Sequence, residues 1–268
     1  MSQQLHNLMA AARRNKKALF LPYFCVGYPS FNASLEASEA ALKAGAAALE
    51  LGAPYSDPIA DGPTLQKATQ LSLERGTRFM DVFRLIRRLR AKGYNQPLLV
   101  MTYLNMVEQM TWKKFAETLR TAGGDGAIVP DLPLEEFRGP RMVLRRKGLS
   151  LIPFIAPTSS PERVKKADAQ GAPFLYYVSV TGVTGARKSL APGLLKTLGN
   201  LRGKLKTPIV VGFGISNPDQ AGQVGKAADG VIIASALIQM ISKLKVSQVG
   251  QKVERFCRKV VQGLGKNI

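Results

Sequence analysis

Short apolar runs rich in aliphatic and aromatic residues recur along the chain at a steady interval. They are LFLPYFCV (19–26), AALELGA (47–53), PLLVMTY (97–103), GAIVPD (126–131), SLIPFIA (150–156), FLYYVSV (174–180), PIVVGFG (208–214) and GVIIASA (230–236). Runs of this length bounded by glycine, proline and polar residues read as buried strands. Between them, apolar positions fall at helical spacing over 33–45, 65–75, 79–92, 112–122, 135–147, 161–170 and 217–227. Asn32 or Ser34, Thr64, Thr111, and Ser160 followed by Pro161 stand where helices should start. Gly45, Gly123, Gly148 and Gly171 stand where they should stop. Eight strands alternating with helices in 268 residues predict an α/β fold, a (β/α)8 TIM barrel occupying 1–268 as a single domain. The opening segment, 2–15, adds an N-terminal amphipathic helix able to cover the barrel floor. An open doubly wound sheet is the competing arrangement, disfavoured by the even spacing and by the lack of a GxGxxG after any strand.

Composition narrows the chemistry. With 46% hydrophobic and 21% charged residues the chain can bury a core, which excludes wholesale disorder. No apolar run approaches the roughly 20 residues that span a bilayer. The polar opening MSQQLHNLMAAARRNKKA lacks the features of a secretory signal, so a soluble, cytoplasmic protein is expected. Cys25 and Cys257 are the only cysteines, too few and too far apart for a disulfide framework or a zinc pattern. Cys25, inside an apolar run, reads as a small buried hydrophobe. His6 is the only histidine and lies in the polar first segment. Histidine triads and most metal-ligand sets are thereby excluded, and acid–base work falls to Asp, Glu, Lys or Tyr. The net charge of +20 is uneven: residues 1–137 carry 16 basic and 13 acidic side chains (+3), and residues 138–268 carry 22 and 5 (+17). The cations are dispersed over helix-like stretches such as RGPRMVLRRKG and KVERFCRKVV, as on a solvated face. They can also draw in a phosphorylated substrate, but no aromatic-interleaved motif marks a specific nucleic-acid binder.

Barrel sites lie at the carboxyl ends of the strands, which turns the strand pattern into a short set of candidates. Alternation places Glu50 on the opposite face from Leu49 and Leu51. The leucines belong to the helix layer, so Glu50 points into the barrel mouth. The loop that follows, 52–64, is long for its kind, shaped by Pro54, Pro58, Gly62 and Pro63, and carries Asp57 and Asp61. Other strand ends supply Tyr103, Asn105, Asp131 and Tyr176. Residues 181–193, TGVTGARKSLAPG, form a glycine-containing loop long enough to act as a lid. GFGIS and IASAL end the seventh and eighth strands, where glycines and a helix start make a phosphate site.

The stretches ALELGAPYSDPIADGPTLQKA, GAIVPDLPLEE, TGVTGAR and GFGISNPDQA, in this order across almost the whole chain, resemble the α subunit family of tryptophan synthase. That resemblance implies a lyase cleaving indole-3-glycerol phosphate to indole and glyceraldehyde 3-phosphate. It also implies no cofactor or metal on the barrel itself and a β-subunit partner carrying pyridoxal phosphate, in an αββα heterotetramer. By matched position it implies catalytic roles for Glu50, Asp61 and Tyr176. It implies substrate contacts for Tyr23, Tyr103, Ile155, Thr184, Gly185, Phe213, Gly214, Ala234 and Ser235, and a partner-facing turn at Pro54–Asp57. Two positions depart from the family pattern: Ala234 stands where glycine is common, and Val180 where arginine is common. A stand-alone indole-releasing lyase and a non-catalytic barrel that activates its partner are the alternatives, and the presence of both carboxylates weighs against the second.

Overall fold

The computed structural model describes residues 2–179, 190–212 and 214–265. The chain opens with α1 (Gln3–Arg14), β1 (Leu19–Cys25), α2 (Phe31–Lys43), β2 (Leu49–Gly52), α3 (Pro63–Glu74) and α4 (Met80–Ala91). It continues through β3 (Leu98–Met101), α5 (Leu104–Met110), α6 (Trp112–Ala122), β4 (Gly126–Ile128) and α7 (Arg138–Arg146). Then come β5 (Ser150–Ile152), β6 (Phe154–Ile155), α8 (Pro161–Asp168), β7 (Leu175–Val178) and α9 (Leu194–Lys204). The last elements are β8 (Ile209–Gly212), α10 (Pro218–Gly225), β9 (Gly230–Ile233), α11 (Ser235–Ile241) and α12 (Val249–Gly265).

Every strand pairs in parallel, in the order β5-β4-β3-β2-β1-β9-β8-β7-β6. The two ends of that order, β5 and β6, are separated in the chain by Pro153 alone. The sheet therefore curls until its ends meet, and nine short strands fill the eight places of a barrel. The fifth predicted strand is divided because proline has no N–H to give the ladder. Its first half pairs with β4 and its second with β7, and the Pro153 carbonyl still accepts from Tyr176 N–H at 3.0 Å.

Local chemistry explains most helix limits. Thr111 caps α6 and Ser160 caps α8, with Pro161 in the first turn, as the sequence predicts. Ser30, rather than Asn32 or Ser34, caps α2 by accepting from Ala33 N–H at 3.1 Å. Gly62 rather than Thr64 precedes α3, because Pro63 fits the first helical position, where no N–H is needed. For the same reason α7 starts at Arg138 and not at 135, which keeps Pro140 inside the first turn. The helices α5, α9 and α11 fall outside the predicted helical segments, whereas α12 contains the helix-like stretch KVERFCRKVV. This last helix buries Val249, Val253, Cys257, Val260 and Leu264 and packs against α2 and α10.

The floor is closed as expected by α1, which buries Leu5, Met9 and Ala12. Two ion-pair clamps hold the strand starts beneath it. Asp125, just before β4, accepts from Arg90 at 2.8 Å, from Leu98 N–H at 2.9 Å and from the Ser2 hydroxyl at 2.7 Å. Asp229, just before β9, accepts from Arg202 at 3.0 Å and from Ile209 N–H at 2.8 Å, with Arg13 at 3.9 Å. Each carboxylate thus ties a helix arginine to the first amide of the neighbouring strand. Among the described residues, no helix is long and apolar enough to cross a membrane. Replacing the fully buried Asp229 leaves the Arg202 guanidinium and the Ile209 amide without this partner. Asp229→Ala is therefore expected to lower unfolding stability by about 3–5 kcal/mol, read as a fall in the denaturant midpoint. An unchanged midpoint would show that the clamp holds nothing.

Candidate active site

On β2, Glu50 sits in register between Tyr23 of β1 and Leu99 of β3. It lines a cavity that also takes in Tyr23, Asp61, Tyr176, Gly214, Ala234 and Ser235. The structure thus brings together seven of the residues singled out in the sequence. Apolar side chains make the rest of the wall, among them Met101, Ile128, Phe154, Ile215 and Ile232. Such a lining withdraws charged groups from water and strengthens fields inside.

The two carboxylates are held differently. Glu50 is 3% exposed, and its Oε2 is the only buried side-chain polar atom among the described residues with no hydrogen-bond partner. Burial, reinforced by the charge of Asp61, pushes its carboxyl up to about 8. Asp61 is just as buried but is fastened on several sides. Its Oδ2 accepts from the Tyr103 phenol at 3.1 Å, its N–H reaches Pro58 O at 3.0 Å, and its carbonyl accepts from Gln66 Nε2 at 2.9 Å. Burial raises it to about 6, and the phenol's hydrogen bond works against the rise. One acid is thereby neutral and the other ionised across the neutral range. That is a division of labour for proton donation and charge stabilisation.

Two tyrosines flank the pair through the same packing device. Tyr23 leans across to Gly52 on β2, and Tyr176 leans across to Gly212 on β8. In each case a Cβ on the glycine would fall on the phenol oxygen. Burial and the fields of Glu50 and Asp61 raise both phenols, which keeps them protonated as donors. Tyr176 also stacks on Phe154, with centroids 4.7 Å apart and planes at 27°.

At the opposite side of the mouth, Gly214 adopts a left-handed φ of 77°. Nearby, α11 starts at Ser235 after Ala234, which has no side-chain oxygen to cap the first amides. Backbone N–H groups at such a helix start favour an anion. No lysine or arginine lines the described wall.

Several expected residues take other places. Ile155 is buried away from this cavity, and its neighbour Phe154 faces in; counting by twos from Ser150 finds that position. Tyr103 does not reach the wall but stands behind Asp61. Asp131 is used structurally, with its carboxylate accepting from Leu104 N–H at the start of α5 at 2.9 and 3.1 Å. Thr184, Gly185, Phe213 and Val180 lie outside the described residues. Cys25 is buried, with its thiol pushed up to about 12, so it packs as a small hydrophobe and offers no thiolate. In the 54–61 loop Pro54 is buried, Asp57 is exposed, and Ile59 is 76% exposed, a large apolar side chain that no sequence pattern singles out.

Residues 9–264 match the family model described as Tryptophan synthase alpha chain. The alpha chain of Chloroflexus aggregans is 42% identical over 252 residues, which cover 94% of each chain. That of Aquifex aeolicus is 41% identical over 244 residues, 91% of this chain and 93% of its own. Among solved structures, tryptophan synthase subunit alpha from Legionella pneumophila superposes with a TM-score of 0.90 at 32% identity, covering 99% of each chain. Mycobacterium tuberculosis tryptophan synthase gives 0.87 at 32% identity, covering 98% of this chain and 99% of its own. With a family match over nearly the full length and relatives of this closeness, the chain belongs to the tryptophan synthase alpha chain family.

Proposed function

We propose that the barrel mouth cleaves indole-3-glycerol phosphate to indole and glyceraldehyde 3-phosphate, as the alpha subunit of tryptophan synthase in tryptophan biosynthesis. The observation that carries this reading is the pair of carboxylates in one apolar cavity, Glu50 without a hydrogen bond on Oε2 and Asp61 held by a phenol. Protonated Glu50 gives its proton to indole C3, and positive charge develops on the ring N–H. Ionised Asp61 stabilises that charge. The Glu50 carboxylate then takes the proton of the C3′ hydroxyl. As the C3–C3′ bond breaks, its electrons return to the indole ring and the O–H electrons become the aldehyde carbonyl. Glu50 ends protonated, so the cycle closes on this chain's own residues. Tyr176 and Tyr23 shape the slot around the ring, and Gly214, Ala234 and Ser235 receive the phosphate by backbone N–H groups. By the family resemblance Thr184, Gly185 and Phe213 are further substrate contacts in this reading.

A β subunit carrying pyridoxal phosphate takes up the released indole, in an αββα assembly in the cytoplasm. The exposed Ile59, close to Asp57 and the Pro54 turn, suits such a partner: an apolar side chain this open gains by being covered. The barrel itself uses no cofactor in this scheme.

Four outcomes test the reading. Activity should rise with pH as Asp61 ionises near 6 and fall as Glu50 loses its proton near 8, giving a bell-shaped kcat/KM for indole release. Glu50→Gln and Asp61→Asn should each lose about 10²–10⁴-fold in rate while the variants stay folded. Near-normal indole release from Glu50→Gln would refute its role as proton shuttle. Stability gives an independent check. Between about 4.5 and 8 the folded state holds a Glu50 proton that the unfolded chain has lost, so the wild type loses stability as pH rises through that window. Glu50→Gln should therefore melt several °C above wild type at the alkaline end and converge with it at the acid end. A constant difference across the range would place Glu50 in a polar environment. Finally, Ala234→Gly should lower KM with little change in kcat if the methyl crowds the phosphate. An unchanged or higher KM would show that the cradle already accommodates alanine.

A further inference from the structure

The wall of the cavity does not explain Tyr103. Its ring is 1% exposed and does not line the cavity, yet its hydroxyl makes two contacts to one short segment. It donates to Asp61 Oδ2 at 3.1 Å and accepts from Ala60 N–H at 3.3 Å. One phenol oxygen thus fixes both the carboxylate and the backbone beside it. On its outer side the Tyr103 ring is covered by Tyr55, with centroids 5.1 Å apart and planes at 29°. Tyr55 is not free either. Its hydroxyl accepts from Asn105 Nδ2 at 3.1 Å, and Asn105 lies in the first turn of α5, whose start is pinned by Asp131. Read outward from the site, Asp61 is held by Tyr103, Tyr103 by Tyr55, Tyr55 by Asn105, and α5 by the end of β4.

We propose that Tyr55 and Tyr103 form a positioning pair, in which the tethered Tyr55 ring keeps the Tyr103 phenol aimed at Asp61 and so holds that carboxylate ionised and directed into the cavity. The proposal rests on the lyase reading of Asp61. Its physical basis is the competition inside Asp61 itself. Burial favours the protonated acid, and a donated hydrogen bond is what opposes it. A phenol opposes it only while its O–H points at the carboxylate. Tyr103 stands two residues beyond β3, immediately before α5, and Tyr55 is the ring stacked on it. In the proposed pair the stacked Tyr55 ring restrains Tyr103 from turning away from Asp61. The Asn105 hydrogen bond ties Tyr55, in the partly exposed 54–61 loop, to α5. Tyr55 never touches the carboxylate, so it acts only through Tyr103.

The test is the pH profile of kcat/KM for indole release by the full chain, in Tyr103→Phe, Tyr55→Leu, Tyr55→Phe, Asn105→Ala and the Tyr55→Leu/Tyr103→Phe double variant. Tyr103→Phe is expected to move the acidic limb up by about one pH unit and to leave the alkaline limb in place, which costs roughly fivefold at pH 6 and little at pH 7.5. Tyr55→Leu should produce the same movement in part or whole. Tyr55→Phe and Asn105→Ala, which keep the ring stack and remove only the tether, should produce a smaller one in the same direction. Because both tyrosines act through one hydrogen bond, the double variant should move no further than Tyr103→Phe alone. An acidic limb that stays put in Tyr103→Phe overturns the proposal, as do Tyr55 and Tyr103 effects that multiply. If Tyr55→Leu does not fold, the two tether variants decide the matter: an unmoved limb in both overturns the role of Tyr55. Asp61→Asn separates the two levels of inference. If it keeps the wild-type acidic limb, the limb never belonged to Asp61 and the lyase assignment of that residue fails. If it abolishes the limb while Tyr103→Phe leaves it unmoved, only the positioning pair fails.

Discussion

Closure of the sheet is the constraint on which everything else here depends. A parallel sheet covered by helices has no water at its edges, so each strand's N–H and C=O groups must find partners in the next strand. In this chain the last pairing is made around Pro153, where one strand changes partners from β4 to β7. Once the ring is complete, the strand ends converge at one mouth. Side chains far apart in sequence, such as Glu50 on β2 and Tyr176 on β7, then face a common space. The electrostatics of the site follow from that geometry. Two acids surrounded by Met101, Ile128, Phe154 and Ile232 cannot both remain as they would in water. The hydrogen bond given to Asp61, and not to Glu50 Oε2, decides which of them stays charged.

The two ends of the barrel are specialised in opposite ways. At the floor, buried charges are satisfied: Asp125 and Asp229 each meet an arginine and a strand amide. At the mouth, Glu50 retains an unsatisfied oxygen. An unpaired buried acid is a cost that a structure bears where reactivity requires it, and the ion pairs at the far end offset it without entering the chemistry.

Much of this was legible in the sequence, for identifiable reasons. The strands appear as apolar runs because both faces of a barrel strand are buried, and their even spacing gives the architecture. Glu50 stands out because a carboxylate inside such a run conflicts with its surroundings. The caps Thr111 and Ser160 follow from side-chain chemistry alone. Other features depend on contacts that no local pattern carries. Whether Ile155 or Phe154 faces inward depends on strand parity across a proline. Tyr103 reads as a wall residue until its hydroxyl is seen to lie behind Asp61. The helices α5 and α11 span only Leu104–Met110 and Ser235–Ile241, too short to show a period, and α9 follows directly on the proposed lid segment. The exposure of Ile59 belongs to the path of a loop, which composition does not determine.

The two floor clamps have a wider consequence. Asp125 and Asp229 precede strands four places apart in the eight-place ring, and Arg90 and Arg202 come from the helices that lead into the strands before those. The two clamps therefore occupy opposite places in the ring, each built from the same three parts: an aspartate before one strand, an arginine from the helix leading into the strand before it, and that strand's first amide. At the mouth the two halves of the chain differ. Both carboxylates come from the nearly neutral first half, and the glycine and helix start proposed to take the phosphate come from the second, where most of the positive charge resides. On the proposed placement, a substrate with an indole ring at one end and a phosphate at the other spans the seam, with each half of the barrel contributing the chemistry the other lacks.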